Sequence, residues 1–558
     1  MFSWQTSIIV TRLSKRILYQ TQDARSLRKF LQHKGNLIFN TTIQYFKTQP
    51  NMSVFGAEFD EVWPKTGSTM ELTDFGKKLL HKCLKVEKPD GSHIDIQSFI
   101  KKSSNFPVEF GTNTCRIISQ PKERYPEIQK QIASAYPIIH ERVLGLYLAF
   151  LEHKCKYGND IERAIYTEMT LTDLVQRLLI KRCVAFVGNS DEYLLITGQM
   201  GFGGFHDVGT TAERAELKLE NVLSYDEIKL SAFLSVSSHT EFLNDGDRFN
   251  AGVIEMDKSK IEVAGVVIGM IGGRFEVMNV MEWQDIMITP MQNTIQQGYS
   301  YAVGEAAQAN NNNNRIVGYR QLWLRFYEEQ DKLYEKVNLL DTPRYFKVPH
   351  TDFIFDNVTM KKRYAISFDT LLLEADARGV AADRQVYLHV VGIGLGVWRA
   401  VEHQCEIFLE AFGERLQELI PRLSHVGVVH FSHFHASACG ILKNGGIIAE
   451  ETHSAGGIKM LLSDRNPAQK LSPEYENMLV VESYAWDGNA LPGNEFWMGS
   501  LSGSGDPAAA CSTLITELHN PHINSEMVNG ENLHVASDRF GVLHIGEFSK
   551  KFLGQTLN

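Results

Sequence analysis

The sequence predicts an α/β protein, a three-layer arrangement around a mixed sheet, with a helical N-terminal region and C-terminal additions. Two observations carry this. The apolar runs at 183–187 and 386–391 each end in a glycine-rich loop. Each loop leads into a stretch with helix-start or helical patterning, so both read as strand–loop–helix units with a ligand at the strand C-termini. The composition agrees: 43% apolar and 22% charged residues among 558 are the proportions of a water-soluble globular chain of two or three domains.

Residues 1–51 form a separate region. Arg12, Lys15, Arg16, Arg25, Arg28 and Lys29 stand against one acid, Asp23. That reads as a disordered extension, a start upstream of Met52, or a mitochondrial presequence, the alternative to a cytoplasmic location. Residues 52–180 read as mainly helical. Pro137 fits a first helical turn, and Ile138, Ile139, Val143, Leu144 and Leu148 keep helical spacing over 137–154. Leu171, Leu174, Val175, Leu178 and Leu179 form an apolar stripe without chemistry.

Residues 181–558 are the expected catalytic region. After the run at 183–187 come Asn189 and then Gly203, Gly204 and Phe205, a loop that lets backbone approach a phosphate. Acids follow: Asp207, Glu213, Glu216, Glu220 and Asp226. Thr210 with Glu213, and Ser224 with Glu227, fit capping boxes, which is the structural alternative for those glutamates. Residues 244–248 are turn chemistry. Strands are expected at 263–270 and 275–280 with Gly272 and Gly273 turning between them, and a low-complexity loop near 308–315. Helices are expected at 323–340 and 364–377.

The second unit carries Gly394, Leu395, Gly396, Val397 and Trp398 in its loop, and Val401, Cys405, Phe408 and Phe412 on its helix. Val397 stands where a dinucleotide fingerprint has its last glycine, which weakens a redox reading. A strand follows at 426–431. His430, His433, His435 and Cys439 match no zinc spacing, so no metal and no cofactor is expected. A C-terminal extension starts near 440. Within it, Trp486, Asp487, Asn489 and Glu495 form a dense polar and aromatic wall, suited to a base and sugar hydroxyls. Pro507 opens a helix.

The net charge of −10 argues against nucleic-acid binding. No apolar stretch reaches the roughly 18 residues of a membrane span. Seven scattered cysteines without a CxxC suit a reducing compartment.

Asn189, Phe202 Gly203 Gly204 and Ala212 Glu213 Arg214 resemble the signature of the poly(ADP-ribose) glycohydrolase branch of macrodomains, with one glycine and one glutamate of its pair missing. Gly392 to Trp398 resembles the second, phosphate-cradling loop of that fold. Gly209 Thr210 Thr211 Ala212 Glu213, Leu223 to Ile228, Trp486 Asp487 Gly488 Asn489, Pro492 Gly493 Asn494 Glu495 and Gly505 to Ala510 resemble a more specific family. This is the arginine-specific ADP-ribosyl hydrolase family that includes the Legionella effector MavL. The resemblance implies a macrodomain-like fold and removal of ADP-ribose from arginine side chains of modified proteins, ubiquitin among them. It implies ADP-ribose and an ADP-ribosylated protein as partners. A non-catalytic ADP-ribose reader, or a glycohydrolase of another linkage, is the alternative. The family's catalytic aspartates point to Asp207 and Asp226, with Glu213 or Glu216 orienting the ribose. The pyrophosphate is expected between Gly203–Gly204 and Gly394–Gly396, and the adenine against Trp398 or Trp486.

Overall fold

The computed structural model describes residues 53–299 and 311–555. The basic segment at 1–51 lies outside them, as do residues 308–310 of the expected low-complexity loop; from Asn311 that stretch is helix and not loop. The chain divides into two units at Ala57, and the fold is that of the second, Glu58–Asn558. Among the described residues its central sheet has ten strands. In chain order these are β1 (Tyr136–His140), β2 (Ser235–Glu241), β3 (Ala264–Met270), β4 (Val386–Val390) and β5 (Val426–Phe431). Then come β6 (Ile447–Ala449), β7 (Gly457–Leu462), β8 (Leu479–Ala485), β9 (His534–Ser537) and β10 (Gly541–His544).

Across the sheet the order is β6-β7-β5-β4-β8-β3-β2-β1-β9-β10. From β7 to β3 every pairing is parallel. β2 runs antiparallel to both β3 and β1. The sheet is therefore mixed, as expected, and its parallel centre is buried on both faces. One face packs on helices α5 (Asn357–Ala382) and α6 (Gln404–Leu419): Phe412 lies edge-on to Phe431 at 4.8 Å, and Tyr136 donates its hydroxyl to Glu374 at 2.8 Å. On the other face Val236, Val267, Val428 and Val480 share a core with Leu144 and Leu148 of α1 (Glu141–Tyr157) and Leu174 and Leu178 of α2 (Leu171–Ile180).

Several elements differ from expectation. Residues 137–139 extend β1, and the helix begins only at Glu141, capped by His140, whose Nδ1 accepts from Arg142 N. A short run buried on both faces satisfies strand and helix alike, and only its neighbours in the sheet decide. The strand at 183–187 is Ala185–Val187 and pairs with Glu192–Leu194 in a separate three-stranded antiparallel sheet. No helix forms at 210–216; Glu213 instead accepts from the backbone of Gly209 and Leu219, both at 3.0 Å. The strand expected at 275–280 is absent, since Asn279 and Met281 take positive φ of 64° and 52°, incompatible with extended chain. The helix expected from Trp323 is α4 (Asn311–Tyr327), which ends where Glu328 turns to φ 52°. The C-terminal region is not an addition: from 447 onward it supplies five strands of the central sheet. By contrast, the capping box at Ser224 and Glu227 is present, opening α3 (Tyr225–Ser231), and the Leu171–Ile180 stripe is buried.

Candidate active site

Three neighbouring parallel strands, β4, β8 and β3, end at one edge of the sheet. β3 runs into Ile271, Gly272, Gly273 and Arg274. β4 runs into the 391–398 loop, and β8 into Trp486 and Asp487. Open α/β sheets bind ligands outside these carboxyl ends. Two of the loops meet through backbone alone, for a Cβ on Gly272 would lie 2.4 Å from Gly394 N. Gly394 also holds φ at 71°, which glycine adopts without strain.

Arg274 ties the neighbouring pieces together. Its Nη2 donates to Gly188 O at 2.8 Å and pairs with Asp191 Oδ1 at 3.1 Å, while Nε pairs with Glu276 Oε2 at 3.0 Å. The guanidinium lies 4.5 Å from the Phe186 ring centre and 5.9 Å from that of Trp398. The second Asp191 oxygen accepts the Tyr225 hydroxyl. Gly203 N donates to Ser190 O at 2.8 Å, so the Gly203–Gly204 turn rests on the same 188–191 turn.

Beside Arg274 lies a cluster of carboxylates. Asp506, in the first turn of α7 (Gly505–Ser512), is buried and staples the loop that follows β8: Oδ1 accepts from Gly493 N at 2.8 Å and Oδ2 from Asp487 N at 3.2 Å. Asp487 is half-buried, and its Oδ2 accepts from Asn494 Nδ2 at 2.7 Å. Glu495 is half-buried; Oε1 accepts from the Ser504 hydroxyl at 3.1 Å, while Oε2 is shielded from solvent without a hydrogen-bond partner. Burial first, and the Glu495 charge second, push Asp487 up to about 7. Burial, then Asp487 and Glu495, push Asp506 well above the usual carboxylate range, against the pull of its two backbone donors. Three acids thus share one site, and the cation acting on Asp487, Arg274, is already engaged by Asp191 and Glu276. Such a site favours a cationic ligand and positive charge developing in a transition state. Among the described residues no group of three or more His, Cys, Asp or Glu is arranged to hold a metal ion.

The expected residues divide accordingly. Gly394, Leu395, Gly396, Val397 and Trp398 form the loop on Gly272, and Trp398 is half-buried beside Arg274. Asp487, Asn489 and Glu495 are in the loop after β8; Asn489 is buried and bonds Cys183, its carbonyl accepting from Cys183 N at 2.9 Å. Gly203, Gly204 and exposed Asn189 border the 188–191 turn. Phe205 and Trp486 are core residues instead: Phe205 packs on Phe186 and Tyr193, and Trp486 donates to Ala490 O under Arg182. Burial of the whole ring leaves neither a face for adenine. Asp226 is committed to Lys154, at 2.6 Å, which also holds Glu162. Asp207 lies in a single 3-10 turn, Phe205–Asp207, half-buried, and Glu216 in the irregular segment beyond it. The sequence gives Arg274 and Asp191 no role, and Asn494 and Asp506 stand only within motifs of the family resemblance. Gly272 Gly273 Arg274 after an apolar run was the available signal for Arg274. Asp506 was masked by its position at a helix start, where an acid is ordinary.

A family model described as ADP-ribosylhydrolase MavL-like matches residues 97–551. An ADP-ribosylarginine hydrolase of Drosophila melanogaster is 51% identical over 504 residues, covering 90% of this chain and 99% of the relative. A second protein of that name from the same organism is 50% identical over 492 residues, covering 88% and 95%.

Proposed function

This chain belongs to the MavL-like ADP-ribosylhydrolase family, and we propose that it is an ADP-ribosylarginine hydrolase whose chemistry is carried by Asp487 and Glu495, backed by Asp506. The observation that carries the site assignment is the acid cluster at the carboxyl ends of β8 and β3, with Asp487 held up to about 7 and Glu495 Oε2 unpartnered. The macrodomain relationship is part of this proposal, supported by a mixed sheet with helices on both faces and glycine loops at its parallel edge.

The substrate bond joins C1″ of the distal ribose to a guanidinium nitrogen. Its cleavage passes through an oxocarbenium-like state, as in other glycosyl transfers. One ionised carboxylate faces the cationic guanidinium and the developing charge on C1″; the other accepts a proton from the attacking water. The water oxygen bonds C1″, the C1″–N bond breaks with its electron pair going to nitrogen, and the water's proton ends on the leaving guanidine. Arriving guanidinium supplies the counter-charge the cluster lacks, so binding favours the ionised carboxylates. The Gly394–Gly396 backbone and the Gly203–Gly204 turn cradle the pyrophosphate, and Trp398 offers the aromatic face. The carrier is an ADP-ribosylated protein.

The test is release of free ADP-ribose from arginine-ADP-ribosylated protein, with ADP-ribosylated ubiquitin as one carrier and serine- and glutamate-linked ADP-ribose as controls. Release confined to the arginine linkage, lost in Asp487→Asn by ~10²–10⁴-fold and kept in Asp226→Asn, is the expected result. Loss with Asp226→Asn and retention with Asp487→Asn would move the chemistry to the start of α3. Saturable ADP-ribose binding without release from any linkage would make the protein a reader.

A further inference from the structure

We propose that Asn494 is the positioning residue of this site: its side chain acts as an extra peptide group that locks Asp487 to the small antiparallel sheet and so sets both the aim and the charge state of the acid. The inference rests on the assignment of Asp487 above.

The geometry uses the whole amide. Oδ1 accepts from Phe186 N at 2.8 Å; Nδ2 gives one hydrogen to Phe186 O at 3.2 Å and the other to Asp487 Oδ2 at 2.7 Å. A flipped amide would set an oxygen against both Phe186 O and the carboxylate, so the orientation is fixed by its partners. The bonds to Phe186 continue a backbone pattern. Three residues earlier Cys183 N donates to Asn489 O and Cys183 O accepts from Leu491 N, both at 2.9 Å, as a parallel bridge. The loop after β8 then turns away, and the Asn494 side chain takes over the pairing. Asn494 is fully buried and holds φ at 27°, a left-handed conformation in which asparagine is among the few tolerated side chains. The strand it clamps carries the 188–191 turn to which Arg274 is bonded. Together with the Cys183 bridge, the Asn494 side chain therefore ties the carboxylate cluster to the turn that Arg274 bonds.

The groups acting on Asp487 are Glu495, Asp506, Glu276 and Arg274, together with Asn494. Three are acids that oppose its ionisation. Asn494 is the neutral donor that favours it, and a hydrogen bond to the charged form lowers the pKa.

The experiment is the pH profile of kcat/KM and kcat for ADP-ribose release by Asn494→Gly and Asn494→Asp in the full chain. Glycine accepts the backbone angle and removes the amide. Aspartate keeps an acceptor for Phe186 N but removes both Nδ2 donations, and it sets an oxygen against Phe186 O and the Asp487 carboxylate. The acidic limb of kcat/KM is expected to move up by about one pH unit in both. At pH 7 kcat should fall ~10- to 100-fold in Asn494→Gly, with KM changed much less, as for a misaimed group. Partial recovery at pH 9 marks the protonation part of the loss. If Asn494→Gly does not fold, Asn494→Asp alone decides. An acidic limb unmoved from the parent's in a folded variant overturns the inference. Asp487→Asn in the same assay separates the two failures: parental activity there refutes the site assignment itself, whereas inactivity there with an unmoved limb in the Asn494 variants refutes only the positioning role.

Discussion

Asp487→Asn should remove activity and add stability, and the structure sets the size of both effects. In the folded protein Asp487 titrates near 7 instead of the usual 3.8. Between those values the folded state holds a proton that the unfolded chain has released. Stability therefore falls as pH rises through this window, and the contribution of the retained proton is gone above about 7. Roughly three pH units at ~1.4 kcal/mol each give about 4 kcal/mol as an upper bound, because Glu495 and Asp506 titrate together with Asp487. Asparagine has no charge to desolvate and keeps an oxygen for Asn494 Nδ2. At pH 8 the variant is expected to unfold at a higher urea concentration than the parent, with the difference vanishing near pH 4. The catalytic side follows from the same number. With the carboxylate as the working form, about a tenth of the parent is active at pH 6 and about nine-tenths at pH 8, so kcat/KM should rise close to tenfold over that interval. Asp487→Asn should flatten the limb and lower the rate by ~10²–10⁴-fold. Urea titrations at pH 4, 6 and 8, with initial rates of ADP-ribose release at each pH, make the test. A parent kcat/KM independent of pH between 6 and 8, or a variant less stable than the parent at pH 8, would refute the reasoning.

Four further outcomes follow from packing. Gly272→Ala drives a Cβ to 2.4 Å from Gly394 N, where only backbone can yield, so ADP-ribose affinity measured by calorimetry should fall by about tenfold or more while the central sheet stays folded. Trp398→Ala should weaken ADP-ribose binding with little change in melting temperature. Trp486→Ala should do the reverse, because that ring is fully buried and its loss costs ~3–5 kcal/mol. Glu227→Ala leaves Arg177 buried without its carboxylate partner, which had paired with it at 2.5 Å, and should lower stability to urea by ~3–5 kcal/mol without touching KM.

Local chemistry was legible in the chain. The stripe from Leu171 to Leu179, the Ser224–Glu227 cap and the strands at 263–270 and 426–431 are each specified by residues within one turn or one pleat of each other. So were the 392–398 loop, whose glycines follow the buried strand β4, and the polar 487–495 loop that follows β8. What sequence patterning left open were choices between equally good local answers. Ile138 and Ile139 suit a helix or a strand, and it is β2 and β9 on either side that make them a strand.

The carboxylates show the same division more sharply. Asp207, Asp226, Asp487 and Asp506 are alike as residues, each at a loop or helix start. A carboxylate's work depends on what charge and how much water surround it, and those neighbours come from distant parts of the chain. Lys154, 72 positions away, neutralises Asp226. Burial and the Glu495 charge, with Arg274 drawn off by Asp191, make Asp487 hold its proton up to about pH 7. The sequence by itself determined the family, the mixed α/β class and the glycine-rich loops, because those are written in short motifs. Only the tertiary structure decided the electrostatic environment of each acid, because that is set by contacts across the sheet edge and not by order along the chain.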